Sequence, residues 1–212
     1  MRVAILDLGM GNLHSVAKAL AAAGADVAVV PGPLGMSGYD GLCVPGQGSF
    51  SRCVSRLSDT GTDDAVRDWI ARDRPYLGIC LGMQVLFGES DESGPGVPEP
   101  TPVNGLGVLN GRVSRLPSTV TVPHMGWNTV VRRNSPPDYF YFDHSYACHP
   151  SDTATVHGWC EHGDRFAAWV HRDSVHAVQF HPEKSGRAGI ALLRAWVDEE
   201  ASSEAVPRMV DQ

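Results

Sequence analysis

The chain has 212 residues, 42% hydrophobic and 19% charged, with 17 Lys+Arg against 24 Asp+Glu for a formal charge of −7. That length fits one domain with its own core, and the composition excludes a disordered chain. The acidic balance, with no basic cluster interleaved with aromatics, argues against nucleic acid or an anionic membrane surface as the ligand. Residues 3–8 are expected as a first strand. Asn12 is placed to cap a helix with Leu13, Val16, Ala17 and Leu20 on its apolar face, and Gly24 is placed to end it. Residues 27–30 and 41–44 are further short apolar runs, the second stopped by Pro45 and Gly46. Asp63 is placed to cap a helix burying Val66, Trp69 and Ile70, after which residues 76–79 read as a strand and 81–87 as a helix. This alternation points to a mostly parallel sheet with helices packed outside it.

Residues 88–105 carry Gly, Pro, Ser and acids without periodicity and are expected to form a loop. Beyond them the rhythm changes to strands over 108–116, 120–131, 139–142, 153–160, 166–171 and 175–180. A last helix presents Ile190, Leu192, Leu193, Trp196 and Val197, and the polar tail from Glu199 is expected to fray. The expectation is an α/β fold in a single domain, 1–198, with antiparallel strands added in the C-terminal half. Five cysteines, at 43, 53, 80, 148 and 160, form an odd set without a C-x-x-C pair, which suits free thiols in a reducing cytosol. The N-terminal apolar run stops at Asp7 and no run approaches the ~20 residues of a membrane span, so a cytoplasmic protein is expected.

Three segments carry chemistry. Gly78-Ile-Cys80-Leu-Gly82 lies where a buried strand meets a helix, the setting of a nucleophile elbow; the flanking glycines leave room for a sharp turn, and a helix N-terminus favours a thiolate. Taken alone, Cys80 is equally well a buried core cysteine. Phe180-His181-Pro182-Glu183 ends a strand and supplies a base with a carboxylate two residues on to orient it. Pro45-Gly46-Gln47-Gly48 can bring backbone N–H groups close to an oxyanion, although by itself it is an ordinary turn. Gly9-Met-Gly11 lacks the third glycine of a dinucleotide fingerprint, because His14 stands there. The remaining histidines show no zinc-type spacing, so neither a metal nor a cofactor is expected.

Together, Pro45-Gly46-x-Gly48, Gly78-x-Cys80-x-Gly82-x-Gln84 and His181-Pro-Glu183 resemble the class I glutamine amidotransferases over nearly the whole chain. Gly9-Met-Gly-Asn-Leu13, Val122-Pro-His-Met-Gly-Trp-Asn128, Tyr141-Phe-Asp-His-Ser-Tyr146 and Phe180-His-Pro-Glu-Lys-Ser-Gly186 narrow the resemblance to the glutaminases of imidazole glycerol phosphate synthase. The resemblance implies the family's three-layer, flavodoxin-like architecture and a triad of Cys80, His181 and Glu183. It also implies that L-glutamine is held by Gly46, Gln47 and Gly48, by Leu81 and Gln84, and by the backbone of Ser145 and Tyr146. A (β/α)8-barrel cyclase is the implied heterodimer partner and ammonia acceptor, with Asn12, Pro123, His124, Met125, Gly126, Trp127, Asn128, Tyr141 and Lys184 as interface candidates. Trp127 suits an interface anchor or a core position equally. Two residues depart from the family pattern: Gln47 stands between the loop glycines and Asp143 before His144-Ser-Tyr, where apolar residues are usual. They keep open a paralogue that feeds ammonia to a related cyclase or synthase in a specialised pathway. A non-catalytic binding subunit and a stand-alone cysteine peptidase are the competing classes; the first leaves the triad without a purpose, the second leaves Gln84 and Met125-Gly-Trp-Asn128 without one.

Overall fold

A computed structural model describes residues 1–93, 101–133 and 135–204. The first half runs β1 (Arg2–Leu6), α1 (Leu13–Ala22), β2 (Asp26–Val30), β3 (Gly41–Gly46), α2 (Phe50–Asp59), α3 (Thr62–Ala71), β4 (Tyr76–Cys80) and α4 (Leu81–Gln84). The second runs β5 (Phe87–Ser90), β6 (Val103–Asn104), β7 (Leu109–Arg115), β8 (His124–Arg132), β9 (Asp138–His144), β10 (Tyr146–Pro150), β11 (Val156–His162), β12 (Asp164–Arg172), β13 (Val175–Val178) and α5 (Gly186–Glu204). Strands β2-β1-β3-β4-β13 pair in parallel, and β13 joins the sheet of the second half through antiparallel β12, followed by β10-β7-β5-β6. β8 and β9 form an antiparallel hairpin whose strand pairing with this sheet, among the described residues, is that of β8 with β11.

Helices cover both faces of the parallel strands, which is why β3 and β4 are apolar and buried along their whole length. Alternate strand residues divide between two clusters. Val3, Ile5, Leu77 and Ile79 pack with Val16 and Leu20 of α1 and Leu193 and Trp196 of α5. Ala4, Leu6, Leu42, Val44 and Tyr76 face the other way, against Phe50, Cys53 and Leu57 of α2 and Val66 and Trp69 of α3. Asn12 caps α1 as expected, its Oδ1 accepting the Ser15 N–H at 3.1 Å.

Several elements differ from the sequence reading. Helix α2 lay unassigned because Ser and Arg dominate its composition, although Phe50, Cys53 and Leu57 keep helical spacing. Helix α3 begins at Thr62 after Gly61, in the left-handed region at φ 64°; Asp63 sits inside the first turn instead, where it and Asp64 pair with Arg67. The helix expected over 81–87 is a single turn, since Phe87 leaves it to pair with Leu109 of β7. Within the expected loop, Val103 and Asn104 pair with β5, while 94–100 lie outside the described residues. The strand expected from 120 starts only at His124, and residues 153–155 form a 3-10 turn before β11. Strand β10 was missed, although it pairs with both β7 and β12. Helix α5 continues past Glu199 to Glu204, and residues 205–212 lie outside the described residues. No helix among the described residues is long and apolar enough to cross a membrane.

Candidate active site

Cys80 is the last residue of β4 and the first cap of α4, with φ 53° and ψ −104°. A side chain larger than hydrogen adopts that conformation only when its surroundings hold it there. Two glycines supply the clearance. A Cβ on Gly78 would lie 2.6 Å from the Gly82 carbonyl oxygen, and one on Gly82 would lie 1.8 Å from that of Val44. Tyr76, fully buried in the same strand, donates its hydroxyl to the Gly82 carbonyl at 2.8 Å and ties the turn to the sheet. Because α4 is one turn long, it does not bring the macrodipole of a long helix to Cys80.

β13 delivers His181 beside this elbow. Its Nδ1–H donates to Glu183 Oε1 at 2.8 Å, and both side chains are almost wholly buried. Ser185 fixes the segment, donating its hydroxyl to the His181 carbonyl at 2.6 Å and accepting the Tyr141 N–H at 3.0 Å. Nε2 is buried and makes no hydrogen bond, yet the Cys80 side chain acts on it. Burial opposes the imidazolium, but Cys80 and Glu183 outweigh that cost and raise the His181 pKa to about 10. Burial is the main cause that pushes the other four thiols, Cys43, Cys53, Cys148 and Cys160, upward; all five cysteines are free. Cys80 is thus the cysteine that a base accompanies.

A cavity of about 410 Å³ opens over Cys80, lined by Gly48, Leu81, Gln84, Glu92, Arg115, Pro123 and residues 143–146. The Cys80 thiol points to the Asp143 carbonyl at 4.0 Å. Glu92 and Arg115 put opposite charges on its wall. Glu92 accepts the Phe50 N–H at 2.9 Å, and burial still raises its pKa above the usual carboxylate value. An amino acid carrying both an ammonium and a carboxylate matches such a pair of charges.

The structure brings Cys80, His181, Glu183, Gly48, Leu81, Gln84, Ser145 and Tyr146 to this one place. Gly46 sits behind the wall, paired in register with Cys80 and packed under Leu81; Gln47 is half-buried and outside the wall, and the Gly9–Gly11 turn backs the loop at Gly11. Gln84 donates its amide nitrogen to the Tyr146 carbonyl at 3.0 Å and to Gln179 Oε1 at 3.1 Å, so its own oxygen is what it can offer a ligand. Of the interface candidates, Asn12, Pro123, Met125 and Trp127 are exposed, and Gly126, Asn128, Tyr141 and Lys184 are half-buried. Trp127 is 57% exposed with its ring edge-on to Tyr141, which decides against a core role. His124 requires a correction: it is buried, stacked between Phe142 and His162, and shares hydrogen bonds with His144 Nε2 and Asn128. Burial keeps it neutral, with a pKa of about 4.

Sequence reasoning missed Gln179, Glu92, Arg115 and His144. Gln179 donates Nε2 to Cys80 Sγ at 3.6 Å and is fully buried; a glutamine in the apolar run before Phe180 was the signal. Glu92 and Arg115 gave none, because only the fold brings them together.

The chain matches the family described as glutamine amidotransferase class-I over residues 4–198. It is 44% identical to the imidazole glycerol phosphate synthase subunit HisH of Symbiobacterium thermophilum, covering 92% of each chain. It is 44% identical to the corresponding subunit of Nocardia farcinica, covering 92% of this chain and 97% of that one. Among solved structures, a crystal structure of a glutamine amidotransferase superposes with a TM-score of 0.72 at 22% identity, over 94% of this chain and 98% of the other. The PurLQS structure from Thermotoga maritima gives 0.70 at 16% identity, over 97% and 99%. That likeness carries the three-layer fold, and the sequence match carries more: this chain belongs to the class I glutamine amidotransferases.

Proposed function

We propose that this chain is the glutaminase subunit of an imidazole glycerol phosphate synthase, with Cys80 as nucleophile, His181 as general base and acid, and Glu183 as the group that orients it. The observation that carries the chemistry is the elbow cysteine in its cavity beside a buried His181–Glu183 pair. Glu183 accepts the hydrogen bond of Nδ1–H, which keeps that proton on Nδ1 and leaves Nε2 to exchange a proton with the thiol. The Cys80 thiolate attacks the glutamine carboxamide carbon, and the tetrahedral oxyanion is met by N–H groups at Leu81 and in the 46–48 loop. Collapse of that intermediate breaks the C–N bond as His181 protonates the departing nitrogen, giving ammonia and a glutamyl thioester. Water, deprotonated by His181, then cleaves the thioester to glutamate. Glu92 and Arg115 suit the substrate's α-ammonium and α-carboxylate.

Ammonia released to bulk water would be protonated and lose its nucleophilicity, so a receiving partner completes the function. The reading assigns that role to a (β/α)8-barrel cyclase, bound as a heterodimer and making imidazole glycerol phosphate and aminoimidazole carboxamide ribotide. The β8–β9 hairpin supports this: Met125, Trp127 and Tyr139 are each more than half exposed there, and such an apolar patch is typical of an interaction surface. The HisH relatives, whose whole length this chain nearly spans, favour that acceptor over one in a specialised pathway. Incubating the chain with a barrel cyclase, glutamine and the phosphorylated ribulosyl substrate tests it. Formation of both products supports the reading; glutamine hydrolysis without them rejects the acceptor and leaves the glutaminase chemistry standing.

A further inference from the structure

A second cluster lies away from the elbow. His171 of β12 and His176 of β13 are direct cross-strand partners, with rings stacked at 3.9 Å between centroids. Glu199 of α5 reaches them from the helix packed on that face: its Oε2 is 3.7 Å from His176 Nε2. One ligand atom from each of the three lies within 4.8 Å of the others. The site is near the start of β13, whereas His181 follows that strand's far end.

We propose that His171, His176 and Glu199 bind a borderline divalent cation of the Zn2+ class, clipping α5 to the β12–β13 hairpin. The donor set, two imidazoles and a carboxylate, is one that zinc takes while leaving a fourth position for water. His171 donates Nε2–H to the Asp173 carbonyl at 3.1 Å, which fixes its tautomer and leaves the Nδ1 lone pair for a metal. His176 is only 6% exposed, and its Nε2 is buried with no hydrogen-bond partner, a cost that a metal–nitrogen bond would remove. Tetrahedral bonds of about 2.0–2.1 Å put ligand atoms roughly 3.4 Å apart, so separations of up to 4.8 Å must close by up to about 1.4 Å. Glu199, with 58% of its side chain exposed, is free to make that movement. Sequence spacing concealed the site because the ligands lie on two strands and a distant helix.

The test is a titration of the full chain carrying Cys80→Ser, which removes the competing thiolate, with Zn2+ and with Co2+. One saturable equivalent is expected, with Co2+ visible bands of nitrogen and oxygen ligation and no thiolate charge-transfer band. The thermal midpoint should rise with Zn2+. His171→Asn and Glu199→Gln, at half-buried and exposed positions, should each weaken binding at least about tenfold and abolish that rise. Absence of a saturable equivalent, a thiolate band, or unchanged affinity in both variants would overturn the proposal.

Discussion

The parallel and antiparallel halves of the sheet treat their residues in opposite ways. In the parallel half, β3 and β4 are buried at every position and helices lie on both faces, so the elbow has almost no freedom: the Val44 and Gly82 carbonyls leave no room for a Cβ at Gly82 or Gly78. In the antiparallel half, β8 alternates buried and exposed residues and its hairpin carries large apolar side chains into solvent. Reacting atoms need positions fixed to fractions of an ångström, which close packing and the backbone supply. Docking needs exposed apolar surface on an element that can adjust without moving the core. The cavity is where the halves meet: Cys80 comes from the first, while Asp143 to Tyr146 close over it from the second.

Breaking the parallel half should have the largest effect. Cys80→Ala removes the proposed nucleophile, and glutamine hydrolysis should fall by roughly 10⁴-fold or more. The fold should persist, because Cys80 lies at the edge of a core otherwise held by both clusters. In a complex with the cyclase, the reaction driven by added ammonium salts should survive. Loss of that reaction in a complex that still assembles would show that the two halves of the chemistry are not divided between the subunits as proposed.

The antiparallel half should answer differently. Trp127→Ala truncates an aromatic that is 57% exposed and should weaken partner binding by about 2 kcal/mol, roughly 30-fold in Kd. Calorimetric titration of the variant with the cyclase measures this, and the basal hydrolysis rate of the chain alone should stay within error. A lowered basal rate with unchanged Kd would erase the distinction between the two halves.

The same contrast explains what could be read from the sequence. Strands β1, β3 and β4 are legible because a strand buried on both faces must be apolar throughout, and the elbow because its glycines are a steric necessity. The proposed nucleophile, base and orienter sit in short local motifs. Strand β10 and helix α2 were lost because neither Tyr146–Pro150 nor Phe50–Asp59 is apolar enough to stand out, and tertiary pairing decides both. His124 was misjudged because a motif marks its neighbourhood but not which way its ring points; in β8, Met125 and Trp127 face out while His124 turns in. Glu92 and Arg115 share a wall only through long-range folding.

Titration gives a third contrast, inside the active site. Burial lowers the His181 pKa, but the Cys80 and Glu183 side chains, by hydrogen bonding and charge, outweigh it and raise it from 6.5 to about 10. A raised folded-state pKa stabilises the protein fully below the unfolded value near 6.5 and is lost as pH rises through about 10. Unfolding free energy should therefore fall between those limits, and Cys80→Ser should flatten the slope. NMR of the His181 ring should show its titration moving down in that variant. An unmoved titration would mean that Cys80 does not act on the imidazole.

The smallest expected effect concerns the seam between the halves. Asp143 Oδ2 pairs with Lys184 Nζ at 3.5 Å, both side chains about two-thirds buried, and Lys184 lies 5.7 Å from the Tyr141 ring centroid. The carbonyl of the same Asp143 lies beside Cys80 Sγ. The acid that departs from the family pattern thus has a local partner: it holds the lysine that follows the His181-Pro-Glu183 motif. An ion pair this close to the surface contributes about 0–1 kcal/mol, so Asp143→Val should leave the fold intact and the basal rate within roughly threefold. Under the proposed function it frees Lys184 to engage the cyclase. A coupling change of about 1 kcal/mol would alter the ratio of partner-stimulated to basal glutaminase activity by roughly fivefold. Lys184→Met in the Asp143→Val background should abolish the gain, since the freed ammonium would be gone. If Asp143→Val leaves both rates unchanged, the pair is a surface contact without a part in communication, and coupling must run through the hairpin instead.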